Sequence, residues 1–428
     1  MARITPQEAL QRASTAQQQG MHLAPAKTSS KKTVKQPVFA MEMNKDGLRS
    51  QYADKASRIY LCKYGSGGLI LPADDEVSPI LGECEVAEFT SALPPHFQAW
   101  LNGYAQEIEW LQNGTRLILG GEEDDVEDTP TAGEPKKDIP SMIKTKWGQG
   151  APWNKKLVFD GKICLVGCPA VMVGQILKYW GDLGFRRGCL PTDPYQYKGY
   201  PVVPASPAVK MFDYANLPLT KSCTATQKEA VSSMLAKIGY ALMTFYGESA
   251  SGSSTTYITK YMKSRLRMGS KIQYVYCDQM GEQAFADTIY NDLAAGRPVG
   301  ICAAHNSNGT VSGSHAFICD GYRAKDGKFH LNFGWDSYYD GYYALTAINL
   351  TKSDSYSTGK KAWIGIQPEY KLGDANRDGE VNITDVMTTI NHSIKGTFDE
   401  ASDINSDGKV TVADHTPIVN HILGKDPL

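Results

Sequence analysis

The 428-residue chain has no apolar run long enough to span a bilayer, so no membrane-crossing helix is predicted. It lacks an excess of either charge. Lys and Arg number 44 against 46 Asp and Glu, the net charge is −2, and there is no basic stripe of the kind a nucleic-acid partner needs. The first residues, Met1-Ala2-Arg3-Ile4-Thr5-Pro6, lack the apolar core of a secretory signal. The nine cysteines include no C-x-x-C pair, since Cys164 and Cys168 are four apart, which removes zinc-ribbon and thioredoxin patterns. Most are read as buried free thiols. Histidine is sparse: between Asp138 and Pro368 there are three, His305, His315 and His330.

A chain of this length is expected to hold roughly two to four domains. Residues 1–36 are polar and read as a flexible tail with a short helix over Pro6 to Ala16. Residues 37–120 alternate short apolar strands with Gly and Asp. A hairpin is predicted from Ser57–Cys62 and Gly67–Leu71, and a helix over His96 to Leu111 buries Phe97, Trp100, Leu101, Tyr104, Ile108 and Leu111 on one face. The acidic, Pro- and Gly-containing run 121–137 ends in Lys136-Lys137 and reads as a linker open to proteolysis. Residues 138–368 mix helices with strands rich in Tyr and Val, with a late antiparallel sheet. Residues 369–428 form a separate small all-helical module, giving an α+β chain overall.

That last module carries the most specific pattern. Asp374, Asn376, Asp378, Glu380, Asn382 and Asp385 occupy positions 1, 3, 5, 7, 9 and 12 of an EF-hand-type calcium loop with Gly379 at position 6. The pattern returns at Asp403, Asn405, Asp407, Lys409, Thr411 and Asp414, with Gly408 in the equivalent place. Each loop leads into a helix, predicted over Val386–Ser393 and Thr416–Leu423. Two structural calcium sites are expected, and chelation is expected to melt this module alone.

The chemistry-bearing stretch is Gly167-Cys168-Pro169-Ala170-Val171-Met172-Val173-Gly174-Gln175. Pro169 suits the first position of a helix, where its missing N–H costs nothing, and the apolar residues beyond it recur at helical spacing. Cys168 then lies at the positive end of the helix dipole, where a thiolate is favoured over a thiol. A core-filling cysteine is the alternative. A thiolate nucleophile needs an imidazole close in space. His305 sits in a polar turn and His330 reads as a core-edge histidine. His315 follows Gly313-Ser314 and opens the apolar strand Ala316-Phe317-Ile318, and is the preferred partner. Asn332 can orient the ring, Trp335 can shield it, and Gln149, between Gly148 and Gly150, can donate to an oxyanion beside the Cys168 N–H. Each of these three also has an ordinary reading: an edge-strand amide, a core Trp, a Gly-rich turn.

The segments Lys146–Asn154, Gly167–Ala170 with Gly174–Tyr179, Gly313–Phe317 and Asn332–Trp335, in that order, resemble the streptopain family of papain-fold cysteine peptidases. Leu71–Gly82 is similar to the family's propeptide strand. Tyr246–Ser253 is similar to its cleft loop, with Gly247, Ser251, Gly252 and Ser314 as substrate-binding candidates. The resemblance implies Cys168 as nucleophile, His315 as its partner, Gln149 as oxyanion donor, and Asn332 and Trp335 as supports. No cofactor is implied for catalysis. Phe333 stands where relatives carry Trp, and Pro169 where they carry Val. The two calcium loops resemble a dockerin, which implies a cohesin-like partner, although Ile383-Thr384 and Val412-Ala413 depart from the Ser-Thr pairs used for that contact. Together these resemblances imply a secreted or cell-surface bacterial endopeptidase zymogen acting on proteins or peptides. Its inhibitory prodomain spans 37–120, activation cleavage falls near Lys136 and Lys137, and the signal peptide is absent from this chain. A catalytically idle adhesion scaffold is the competing expectation.

Overall fold

The computed structural model describes residues 3–18, 38–44, 47–49, 57–75, 77–90, 93–112, 135–307, 310–346, 359–405, 407–425 and 428. Among these the strands are β1 (Val38–Asn44), β2 (Gly47–Arg49), β3 (Ile59–Tyr64), β4 (Gly67–Pro72), β5 (Gly82–Cys84), β6 (Val158–Phe159), β7 (Lys162–Ile163), β8 (Gln273–Tyr276), β9 (Val299–Ser307), β10 (Thr310–Arg323), β11 (Lys328–Asn332), β12 (Gly341–Tyr343) and β13 (Lys361–Ile364). The helices are α1 (Pro6–Gln18), α2 (Pro95–Gln112), α3 (Cys168–Asp182), α4 (Ala225–Ala241), α5 (Thr255–Ser264), α6 (Cys277–Met280), α7 (Glu282–Ala294), α8 (Ile383–Lys395) and α9 (Val412–Ile422). The chain divides into two compact units: residues 1–142 with 274–364, and residues 143–273 with 365–428.

The first unit is built on an eleven-stranded sheet of order β2-β1-β3-β4-β5-β12-β11-β10-β9-β13-β8. The seam between its N-terminal strands and the later ones is β5 against β12, with Gly82 opposite Tyr343 and Cys84 opposite Gly341. A Cβ at Gly341 would come within 2.1 Å of the Glu83 carbonyl, so this pairing requires a residue without a side chain. Helix α2 lies across the sheet. Phe97, Trp100, Leu101, Tyr104 and Ile108 recur every three or four residues and are all buried, as the helical spacing predicts. Burying each contributes about 1.5–3 kcal/mol against solvent. The side chain of Leu111 lies outside the described residues.

Helix α1 matches the short helix expected over Pro6 to Ala16 and runs on to Gln18. Ala9 and Ala13, one turn apart, are buried against Tyr60, Cys62, Leu69 and Leu71 of the predicted hairpin. Small side chains let the helix approach the strands closely. The acidic linker lies outside the described residues up to 134. At its end, Lys136 pairs with Asp287 and lies 5.1 Å over the Tyr290 ring, and the Lys137 N–H donates to the Tyr290 hydroxyl at 2.8 Å.

The second unit packs α3 against α4 and carries the C-terminal module. Helices α8 and α9 begin a turn earlier than their apolar periodicity suggests, because Asn382 with Asp385 and Thr411 with Asp414 form capping boxes. The module is fastened to the helical unit rather than merely tethered. The Arg186 Nη1 donates to the Leu428 main-chain oxygen at 2.6 Å, Arg187 donates to the Tyr370 carbonyl, Arg267 pairs with Glu400 at 3.3 Å, and the Ser270 N–H donates to Glu369 at 2.9 Å.

Candidate active site

Two sets of functional side chains form, one in each unit. In the helical unit, Gly167 immediately precedes α3 with φ 89°, and a Cβ there would lie 3.2 Å from the Ser251 carbonyl oxygen. The backbone conformation and the crowding both demand glycine. Cys168 is the first helical residue and Pro169 the second, one place later than the sequence pattern suggests. Cys168 is 8% exposed. Its position at the start of a buried helix puts the sulfur at the positive end of the helix dipole.

The loop with Gln149 is joined to this turn. The Val166 N–H donates to the Gln149 carbonyl at 3.0 Å, and the Asn154 amide donates to the Cys164 carbonyl at 3.0 Å. Trp147 and Trp153 are fully buried and anchor the loop, the Trp147 indole donating to the Pro218 carbonyl at 2.7 Å. A residue without an assigned role in the sequence pattern, Gln175, holds the loop from the helix side. Its Oε1 accepts from the Trp147 N–H at 3.2 Å and from the Thr145 hydroxyl at 2.9 Å. The available signal was a polar amide on an apolar helical face, seven residues after the cysteine and therefore on the same side. The cleft-loop candidates are here too. Gly252 pairs with Phe245, the Ser251 hydroxyl accepts from the Gly247 N–H at 3.1 Å, and the Gly247 carbonyl accepts from the Leu165 N–H at 3.0 Å.

The sheet unit holds the second set. His315 lies in β10 opposite Ala303 of β9 and is 2% exposed, whereas the preceding Ser314 is exposed. Its imidazole stacks on the Trp335 ring at 4.5 Å with 12° between planes, and Trp335 stacks in turn on Phe333 at 5.2 Å. The His315 Nε2 lies 2.8 Å from the Phe333 carbonyl. A carbonyl accepts and cannot donate, so the neutral ring carries its proton on Nε2 and presents the Nδ1 lone pair. Asn332 is buried rather than facing water, and its Oδ1 accepts from the Gly334 N–H at 3.1 Å, shaping the turn that carries Phe333 and Trp335. The main-chain contact to His315 therefore comes from Phe333, which residue types alone could not reveal.

Of the other two histidines, His305 differs from expectation and His330 lies in a strand as expected. The backbone of His305 belongs to β9 rather than to a turn. His330 is buried, with Nδ1 2.6 Å from Asp320. On the same unit, Phe97 of α2 meets the ring wall edge-on, at 5.5 Å from Phe333 and 6.4 Å from Trp335, and stacks on Tyr339 at 4.3 Å. All nine cysteines are free thiols. Burial pushes Cys62, Cys84 and Cys277 up to about 12, which leaves them inert.

In the C-terminal module, carboxylate oxygens of Asp374, Asp378 and Asp385 lie within 4.8 Å of one another. Asp374 Oδ1 is buried with no hydrogen-bond partner, and burial raises its carboxyl above the ordinary range. An orphaned buried oxygen beside two further carboxylates fits a hard cation. In the second loop Asp403 accepts from the Asp407 and Gly408 N–H groups at 3.0 and 2.9 Å, and Asp414 accepts from Asn405 and Thr411 at 3.2 and 2.8 Å. Glu380 and Lys409 stand at the position that coordinates through its main-chain carbonyl. Asn382 and Thr411 also cap the following helices, accepting from Thr384 at 2.9 Å and Ala413 at 3.2 Å.

Residues 147–343 match the Peptidase C10 family, and residues 372–425 match the Dockerin type I domain, a class that generally binds calcium. The chain is 24% identical over 332 residues to the thiol protease/hemagglutinin PrtT of Porphyromonas gingivalis, covering 71% of this chain and 36% of that protein. It is 23% identical over 342 residues to streptopain of Streptococcus pyogenes, covering 73% of this chain and 81% of streptopain. The chain thus spans about a third of PrtT's length. A prointerpain A fragment of Prevotella intermedia shares the fold, with a TM-score of 0.60 at 21% identity over 77% of this chain and 99% of that one. Among the described residues, no helix is long and apolar enough to cross a membrane.

Proposed function

We propose that this chain, which carries a Peptidase C10 domain followed by a Dockerin type I domain, is a secreted cysteine endopeptidase made as a zymogen. The carrying observation is the held imidazole of His315, fixed by the Phe333 carbonyl and the Trp335 ring. In this reading Cys168 Sγ attacks the scissile carbonyl while His315 Nδ1 takes the thiol proton. The tetrahedral oxyanion is stabilised by the Cys168 N–H and the Gln149 side-chain amide. The intermediate collapses to a thioester as His315 returns the proton to the leaving amine. Water, deprotonated by His315, then releases the acid and restores the thiol. Asn332 acts as a positioning residue through the Phe333 turn, and Gly247, Ser251, Gly252 and Ser314 line the substrate path.

The N-terminal region is read as the inhibitor, because Phe97 of α2 packs on the ring wall that holds His315. Activation cuts the chain at or before Lys136-Lys137, where the Lys136–Asp287 pair and the Lys137–Tyr290 bond then hold the new end. The C-terminal module binds calcium in two structural loops, Asp374–Asp385 and Asp403–Asp414, and takes a cohesin-like partner outside the cell. Incubating the precursor and its Cys168→Ala variant, then sequencing the new N-terminus, tests this function. Cleavage of the native chain between residues 121 and 137, absent from the variant, is expected. Equal processing of both, or a mature form that begins before Asp74, would rule the reading out.

A further inference from the structure

The helical unit holds a cavity of about 300 Å³ where the C-terminal module meets the peptidase helices, away from the Cys168 turn in sequence and in lining. Its cationic side chains are Arg186, Arg187, Lys210, Arg265 and Arg267. The opposing carboxylates are Glu400, Asp403 and Asp407. Those carboxylates are largely engaged. Glu400 pairs with Arg267 at 3.3 Å, Asp403 accepts from its own loop amides, and Asp407 accepts from the Lys409 N–H at 2.9 Å. Calcium in the second loop would draw Asp403 and Asp407 further from the cavity's charge.

The arginines are only partly used: the Arg186 Nη1 donates to the Leu428 main-chain oxygen at 2.6 Å. Arg187 is 5% exposed; it gives Nη1 to the Arg186 carbonyl at 2.8 Å and its other terminal nitrogen to the Tyr370 carbonyl, with the Tyr370 ring 4.3 Å away. Carbonyls satisfy donors but carry no net charge. The Nε–H groups of both Arg186 and Arg187 are buried without a hydrogen-bond partner. A buried guanidinium edge with an unanswered N–H is the arrangement an oxoanion completes.

We propose that this cavity is a binding site for an oxoanion group, sulfate or phosphate, held chiefly by Arg186 and Arg187, which pins the calcium-binding module to the peptidase. The anion is either free or the end group of a small ester, since the cavity has room for more than the anion alone. The test is calorimetric titration of the calcium-loaded full chain carrying Cys168→Ala, with inorganic sulfate in one arm and a sulfated monosaccharide in the other at matched ionic strength. Saturable one-to-one binding is expected, weakened at least about tenfold in Arg187→Gln and Arg186→Gln. Equal affinity in the two arms assigns a free anion, and tighter binding of the ester assigns a pendant group. Arg186 is only half-buried, so its variant remains informative if Arg187→Gln fails to fold. Absence of saturable binding in both arms, or unchanged affinity in a folded Arg186→Gln chain, would overturn the proposal.

Discussion

The N-terminal region and the C-terminal module are both appended to the peptidase, and different physics attaches them. The N-terminal region continues the peptidase's own sheet through β5 and β12, and α2 adds a buried aromatic face to the same core. Its charges at this seam are buried as well. Glu83 pairs with Arg323, and Glu107 lies 3.4 Å from Lys360, which Glu282 also approaches at 3.0 Å. The C-terminal module instead has its own small core and is fastened by arginine side chains to carbonyls, one carboxylate and a ring. The first attachment is a shared core and forms with folding; the second is a charged contact between surfaces that each exist without it.

Truncation is the strongest way to break this comparison. A chain synthesised from Lys136 lacks the N-terminal strands that pair β12 and cover the Phe333–Trp335 wall while the sheet folds, and is expected to give much less soluble folded protein than the mature form released by cleavage of the folded precursor. A chain ended at Glu369 is expected to stay soluble and keep its near-ultraviolet circular dichroism. Equal yields from the two would erase the distinction. Phe97→Ala removes a fully buried ring that touches several others and is expected to cost about 3–5 kcal/mol in denaturant unfolding of the precursor, with the C-terminal module unaffected. Glu107→Gln should cost less, about 1–2 kcal/mol, because Glu282 still answers Lys360. Calcium removal sharpens the other side. Chelation is expected to melt the C-terminal module and, because it is docked, to lower the peptidase midpoint by about 2–4 °C in calorimetry. An unmoved midpoint would restore the simpler picture of an independent module. The smallest effect belongs to Pro169→Val, whose turnover on a peptide substrate is expected to stay within about twofold, since valine can also occupy the first helical turn.

What could be read from the chain was whatever residue types carry. The cysteine at a helix start, the repeated calcium loops and the apolar face of α2 follow from spacing and side-chain chemistry. The Phe333 carbonyl that meets His315 was not legible, because every residue has a carbonyl and only folding selects one. The same holds for the β5–β12 seam, a three-residue pairing whose partners are far apart in sequence. The early starts of α8 and α9 were hidden for another reason: Asn382 and Thr411 satisfied the calcium pattern, and their second use as caps left no separate mark. Likewise no residue pattern marks Arg187, whose burial beside the Tyr370 ring comes only with the fold.

The central claim, a Cys168 nucleophile held in check by the N-terminal region, is tested most directly by a cysteine-directed epoxide applied before and after removal of that region, with the adduct mapped by peptide mass spectrometry. The account predicts stoichiometric modification of Cys168 in the processed protein and little in the precursor, with Cys164, Cys189, Cys277, Cys302 and Cys319 untouched in both. A processed protein that forms no adduct at Cys168, or a precursor that reacts as fast as the processed form, would contradict it.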